Sequence, residues 1–572
     1  MRSYPFFVAS LVAALFGYVA LCAAHLYAQQ LTQQELTISA PWSSIPYAMS
    51  WAKTHPDSFM KWCAILGSGL IICFFSFGLS FYRLRANKPV GDMHGSARFA
   101  KESEVNALGL LDSNGVFVGG FKGNYLRHDG GEHVQVVAPT RAGKGVAVVL
   151  PTLLTWKESA LITDIKGELW ELTSGWRKIH ANNKCYKLDF GDMNSNRFNA
   201  LDTVSIGTPR EISDCQNIAA VIVDPDGKGM EGRDGHWRKA AYALISGLIV
   251  YAINTVENEE GEIANLNDVA NLLTPPDRTF EDVIEEMILF DDDAVADDIC
   301  QFINSAARQH AARQGEEAAS VLSTAANYMI LYKDPIVARA SSRSEFSVLD
   351  MVNDSQPVSV YITVKPSDKQ RLLPVIRLLL TVIVRTLTRD LDFHKGRAVS
   401  AHSRRLLLML DEFPALGKLD VMTDTLAYMS SYGLKTMMII QNYNQLWDIY
   451  GRNESLTANC HIRVVFAPNI IETAREISQM TGQKTVVKRE KQGDTKIKML
   501  APMDDKFNEV GRPLMTAEEV MRLKSAEKRG SSIVSPGELL VFVAGNHVIR
   551  GTQPLYFQDK YLNARAQVGS AA

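Results

Sequence analysis

Short apolar, β-rich runs alternate with helix-like stretches from about residue 130 onward, and that alternation limits what the chain can become. The runs are HVQVVA (133–138), ALITDI (160–165), CYKLDFG (185–191), VSVYITV (358–364), RLLLMLDE (405–412), TMMIIQN (436–442), IRVVFAP (462–468) and LLVFVAG (539–545). Between several of them apolar residues recur at helical period, as over Leu372–Leu391. This pattern predicts an α/β fold with a parallel sheet covered on both faces. The chain has 572 residues, 46% apolar and 22% charged, which excludes a disordered chain and implies two or three domains.

The pattern changes between residues 208 and 345. Helix formers dominate there, as in WRKAAYALISGLIVYAI (237–253), and β-rich runs vanish. We read an all-helical domain inserted into the sheet domain. It holds 25 acidic and 11 basic side chains, a net charge of −14, whereas the whole chain carries −3. The near-neutral total thus hides an acidic insert on a basic body. Asp291, Asp292 and Asp293 are either a solvated helix start or part of a surface that repels nucleic acid and receives a protein.

The stretch VQVVAPTRAGKGVAVVLP (134–151) places a turn between a strand and a helix. It matches only half of the phosphate-loop signature G-x-x-x-x-G-K-[ST], because Ala138 stands at the first glycine and Gly145 at the hydroxyl position. Gly143 lets the backbone come close to phosphate, and Lys144 follows where a phosphate-binding lysine is needed. Thr140, Arg141, Ala142, Gly143, Lys144, Gly145 and Val146 form the candidate nucleotide-binding stretch. A plain glycine turn is the competing reading. Losing the hydroxyl at Gly145 removes a usual Mg²⁺ ligand.

The run RRLLLMLDEFPALGK (404–418) delivers Asp411 and Glu412 at the end of a buried strand. Adjacent carboxylates there are costly without a cation, so a role in chemistry is favoured over a surface turn. Asp411 is positioned to hold Mg²⁺ and Glu412 to polarise the attacking water of an ATPase. Gln441 ends the strand of TMMIIQ and is either a γ-phosphate sensor or a cap for the next helix. Asp164, Lys166 and Glu168 end another strand, where such sheets converge on ligand. They are equally an ion-pair cluster.

Two N-terminal segments, Pro5–Tyr27 and Trp62–Tyr82, lack Asp, Glu, Lys and Arg. Each is long enough to span a bilayer, which takes about 20 residues. Arg2 precedes the first, and Arg83, Arg85 and Lys88 follow the second, so both termini are expected in the cytoplasm. A cleaved signal peptide is the alternative for the first segment. The seven cysteines contain no C-x-x-C pair, which argues against a zinc site or a disulfide framework and for a reducing compartment.

Several blocks in order carry a family resemblance: HGSARFA (94–100), EHVQVVAPTRAGKGVAVVLPTLLTW (132–156), DIKGELWELT (164–173), RFNALD (197–202), LLMLDEFPALGKL (407–419), SYGLKTMMIIQNYNQL (431–446), ANCHIRVVFAPNIIETAREIS (458–478) and GRPLM (511–515). With the two-helix anchor, the chain resembles the type IV secretion system coupling proteins, the TraG-like class of conjugative DNA-transfer ATPases. The family often has Gly after the loop lysine, which makes the loop a variant phosphate cradle. The resemblance implies a RecA-like P-loop nucleotide-binding domain with an inserted all-α domain, preceded by two transmembrane helices. It implies ATP and Mg²⁺ as cofactors and a homo-hexamer at the bacterial inner membrane, with the main domain cytoplasmic. It implies recruitment of a relaxase–DNA complex, or of a secreted protein, and its transfer to the type IV secretion channel. By motif position Lys144 is the phosphate lysine, Asp411 the metal-binding acid, Glu412 the catalytic acid and Gln441 the sensor.

The implied organisation is a membrane anchor with a periplasmic loop over 1–90, nucleotide-binding segments over 91–207 and 346–572, and a substrate-docking insert over 208–345. One departure stands out. Related ring translocases often place an arginine shortly before the sensor strand, whereas this chain has Ser430 and Ser431. Arg463 and Arg475 are the remaining candidates for an arginine finger. The segment KTVVKREKQGDTKIK (484–498) holds Lys484, Lys488, Arg489, Lys491, Lys496 and Lys498. It is a solvated loop or a salt-dependent phosphate contact without base stacking. Two rivals remain: a coupling protein for effector proteins only, and a receptor that holds nucleotide without hydrolysing it. Gly145 suits the second rival, and the Asp411–Glu412 pair opposes it.

Overall fold

The computed structural model describes residues 4–38, 40–86, 92–112, 114–225, 227, 229, 235–256, 262–394, 397–490, 506–530 and 532–571. The chain forms two compact units, residues 1–96 with 485–512, and residues 97–484 with 513–572.

In the first unit the apolar segments are helices, Tyr4–Leu31 and Pro56–Ala86, joined through the shorter helix Ser44–Thr54. Within them Leu11–Leu31 and Pro56–Phe75 are long and apolar enough to cross a membrane. Ala24, Ala28, Ala48 and Trp62 form a small buried cluster where the helices meet, the small side chains letting the backbones approach. The basic segment read at 484–498 falls partly outside the described residues. Lys484, Lys488 and Arg489 lie on the strand Gln483–Glu490. Lys491, Lys496 and Lys498 are outside, as are Arg2 and Lys88.

The second unit is built on an 11-stranded sheet. We number its strands β1 (Val116–Phe121), β2 (Asn124–His128), β3 (Val134–Val137), β4 (Ser159–Asp164), β5 (Lys184–Leu188), β6 (Val358–Thr363), β7 (Leu406–Leu410), β8 (Leu434–Ile440), β9 (Ile462–Val465), β10 (Glu538–Val543) and β11 (Ile549–Thr552). Their order is β2-β1-β11-β10-β9-β3-β8-β7-β4-β6-β5. The seven strands from β9 to β5 run parallel. The other four extend the sheet antiparallel past β9. The sheet is therefore mixed, not parallel throughout. An apolar run such as LLVFVAG reads alike in either direction, because burial on both faces, not direction, sets its composition.

Each central strand is buried on both faces, and its side chains alternate between two cores. Leu406, Leu408 and Leu410 enter one, while Leu407 and Met409 enter the other. Between β5 and β6, residues 208–345 contain helices and no strand among the described residues. Their apolar side chains, such as Leu244, Ile249 and Val283, join the same core as Leu406 and Leu408, so these helices pack on one face of the sheet. The helix read over Leu372–Leu391 spans Lys369–Leu387 instead, and Leu391 opens a small hairpin.

On the opposite face the helix Glu168–Ile179 carries Arg177, which is fully buried. Its guanidinium donates to Ser359 Oγ at 2.8 Å, Asn183 Oδ1 at 3.0 Å, and the carbonyls of Leu153 at 3.1 Å, Glu158 at 2.6 Å and Trp156. No carboxylate takes part in these bonds. One cation thus ties β6 to the segment leading into β4.

Candidate nucleotide site

The registers of β3, β8, β7 and β4 bring their carboxyl ends to one edge of the sheet. Val137 pairs with Ile440, and Leu410 pairs with both Met438 and Thr163. The residues that follow, Ala138, Gln441 and Asp411, therefore emerge beside Asp164. Strand ends in such sheets are where ligands bind.

After β3 the chain turns tightly, with Ala142 N–H donating to Pro139 O at 3.2 Å. Arg141 is left-handed at φ +62° and Gly143 at φ +94°. Glu412 is left-handed as well, at φ +52°. A left-handed conformation is costly for side chains other than glycine, asparagine and aspartate, and such strain gathers at working sites. Ala138 is not left-handed, so the missing first glycine costs nothing there. The helix after the loop opens with a π-helical turn over Gly145–Val149, and only then becomes α-helical over Leu150–Leu153. π-Turns are rare and recur at functional sites.

Lys144 Nζ reaches across to Asp411 Oδ1 at 2.7 Å, both side chains being mostly withdrawn from solvent. Thr163, at the end of β4, donates its hydroxyl to the Asp411 carbonyl at 3.1 Å and fixes that strand end. Thr163 escaped the sequence reading, since nothing local marks it. Asp164 is buried, and its Oδ2 accepts from Trp170 N–H at 2.8 Å. Burial pushes its carboxyl up to about 6, and the neighbouring Asp411 charge adds to the rise. Lys166 and Glu168 point to solvent.

Gln441 follows directly on β8, between the loop strand and the Asp411 strand. The cap of the next helix is Asn442, whose side chain accepts from Gln445 N–H, so Gln441 does not serve as that cap. The Gln441 oxygen faces Gln445 Nε2 at 3.4 Å. Arg463 is turned inward, donating to Thr457 O at 2.9 Å, whereas Arg475 is exposed on the helix Ile471–Met480. Ser430 and Ser431 form a short 3₁₀ turn before β8.

Among the described residues no group of three or more His, Cys, Asp or Glu gathers as a metal site. The donor set here is the Asp411 carboxylate with Asp164 nearby, and Gly145 adds no hydroxyl. That set fits a hard divalent cation held by one carboxylate, water and phosphate oxygens, the way Mg²⁺ is commonly bound.

This arrangement has relatives. The family model for type IV secretory system conjugative DNA transfer matches residues 91–572. Conjugal transfer protein TraG of Escherichia coli is 41% identical over 564 residues, covering 93% of this chain and 87% of that protein. VirD4 of Agrobacterium fabrum is 28% identical over 496 residues, covering 83% and 68%. Among solved structures, the bacterial conjugative coupling protein TrwBdeltaN70 superposes with a TM-score of 0.57 at 17% identity, over 82% of this chain and 96% of that one. TrwB in complex with ADP and Mg²⁺ gives 0.56 at 17%, over 80% and 94%. These structural matches establish a shared fold. With the family model and the TraG relative, the chain belongs to the type IV secretory system conjugative DNA transfer family, the coupling proteins of conjugation.

Proposed function

We propose that the chain is an ATP-hydrolysing coupling motor, anchored in the bacterial inner membrane, that recruits a relaxase–DNA complex and passes it to a type IV secretion channel. The observation that carries the ATPase reading is the convergence of Lys144, Asp411, Glu412 and Gln441 at neighbouring strand ends. Lys144 binds phosphate oxygens in place of the Asp411 carboxylate, and Asp411 is then free to hold Mg²⁺. Glu412 orients the attacking water and accepts its proton. Gln441 hydrogen-bonds near the terminal phosphate. Bound ATP supplies the phosphoryl group, and Mg²⁺ neutralises charge on its oxygens.

The segment boundaries proposed are an anchor over 1–90, nucleotide-binding parts over 91–207 and 346–572, and a docking insert over 208–345. A ring of six and an arginine finger from a neighbouring copy belong to the same proposal, with exposed Arg475 the better placed candidate. The test is ATP hydrolysis by the full chain in detergent, with and without single-stranded DNA. DNA-stimulated turnover that Lys144→Ala removes supports the motor. Nucleotide binding without turnover in the wild-type chain would leave a non-hydrolysing receptor. A second reading, in which the cargo is an effector protein without DNA, draws on the −14 charge of residues 208–345. Plasmid transfer to a recipient cell separates the two.

A further inference from the structure

Gln553 follows β11 directly, and its backbone N–H donates to Gly537 O at 2.9 Å. Its side chain is only 4% exposed. The amide Nε2 faces the Glu538 carbonyl at 3.5 Å, which orients the group. The amide oxygen points the other way, toward the phosphate loop. A Cβ built on Gly143 would lie 3.1 Å from Gln553 Oε1 and 3.7 Å from Val146 Cγ2. On the far side, a Cβ built on Gly537 would lie 2.7 Å from Gln553 Nε2. Two glycines thus leave room for this one amide. Yet Oε1 is buried and accepts no hydrogen bond among the described residues. A buried acceptor left unpaired is destabilising, so its retention beside a ligand loop points to a donor on the ligand.

The chemistry of that donor is restricted. An amide oxygen cannot bond phosphate oxygens, which are acceptors themselves. ATP carries donors only on its ribose hydroxyls and its base amino group. We propose that Gln553 is a nucleoside-contacting residue of this site, its Oε1 accepting a hydrogen bond from a ribose hydroxyl or the base amino group. The proposal rests on the ATPase reading above. It assigns a ligand contact to the antiparallel extension of the sheet, which the phosphate-loop motifs do not include.

The experiment compares the wild-type full chain in detergent with Gln553→Met, which keeps the length and removes the acceptor. ATP hydrolysis is measured together with its inhibition by inorganic tripolyphosphate, which has phosphates and no nucleoside. The expected result is a KM for ATP raised about three- to tenfold, the worth of one neutral hydrogen bond, with kcat within about twofold and tripolyphosphate inhibition unchanged. In the wild type, either a deoxy-ATP or the triphosphate of unsubstituted purine riboside already shows that loss, and Gln553→Met adds nothing further to it. Which analogue it is identifies the hydroxyl or the amino group. Equal weakening of ATP and tripolyphosphate would overturn the proposal, since Gln553 would then only brace the loop. An unchanged KM would overturn it too. Should Gln553→Met fail to fold, a wild type indifferent to all these analogues would overturn the proposal just as well. A wild-type chain that binds neither ATP nor tripolyphosphate would sink the nucleotide reading itself, and this proposal with it.

Discussion

Lys144 Nζ lies 2.7 Å from Asp411 Oδ1, although 267 residues separate the two in the chain. The pair joins the phosphate loop after β3 to the acidic end of β7, two strands away, across β8. Lysine and carboxylate neutralise each other here, and on the proposed function each would exchange its partner for part of a phosphate–metal ligand. Lys144→Ala is expected to lower ATP hydrolysis by about 10²–10³-fold, the usual cost of removing one charge-stabilising donor. Its melting temperature should fall by no more than a few degrees, because the Asp411 carboxylate left without its partner is 27% exposed and can be hydrated. Hydrolysis assays and thermal melts on the same preparation check both statements.

Asp164 gives the site a pH signature. Its folded pKa, pushed to about 6 by burial and by the Asp411 charge, exceeds the unfolded value of about 3.9. The folded state therefore favours the protonated carboxyl. The stabilising contribution is full below about pH 4 and is lost as pH rises through about 6. Relative to Asp164→Asn, the wild type should lose about 2 kcal/mol of stability between pH 4 and pH 7. Denaturation curves of both proteins across that range measure it. A difference that does not change with pH would contradict the assignment.

Arg177 is expected to matter to the fold and not to the chemistry. Arg177→Met leaves several buried acceptors without a donor, among them the carbonyls of Leu153, Trp156 and Glu158. Each such loss costs about 1–3 kcal/mol, so the variant should be destabilised by at least about 3 kcal/mol. Thermal melts should separate it from Lys144→Ala, which loses turnover while keeping its fold.

Much of this was legible in the sequence because parallel strands, buried on both faces, write themselves as continuous apolar runs. All eight apolar runs are strands, although LLVFVAG (β10) runs antiparallel and β5, at the sheet edge, is only partly buried. Asp411 and Glu412 stood out because carboxylates at the end of a buried run are costly without a purpose. Other features have no local signal. The strands β1, β2 and β11 are not continuous apolar runs: VFVGGF carries two glycines, and NYLRH and IRGT are broken by polar residues, so they carry no such strand signal. Lys435 is buried inside β8, where its Nζ donates to Gly130 O at 2.6 Å and Glu132 O at 2.8 Å. Burial draws its pKa down to about 7, which no pattern in LKTMMII suggests. Whether Gln441 or Asn442 caps the following helix depends on backbone geometry that two adjacent amides cannot reveal. Gln553 lies more than 400 positions from the loop it faces, and only the antiparallel extension of the sheet, which ends β11 at the same edge as β3, brings them together.

The most direct test of the central claim is transfer of a mobilisable plasmid from donors carrying the wild type or Glu412→Gln, at matched protein levels. Glu412 sits in a left-handed turn just past β7, and removing a positioned general base costs about 10²–10⁴-fold in turnover. The wild type is expected to support transfer, and Glu412→Gln to reduce it to the level of a donor lacking the protein. Wild-type transfer by Glu412→Gln would contradict a hydrolysis-driven motor.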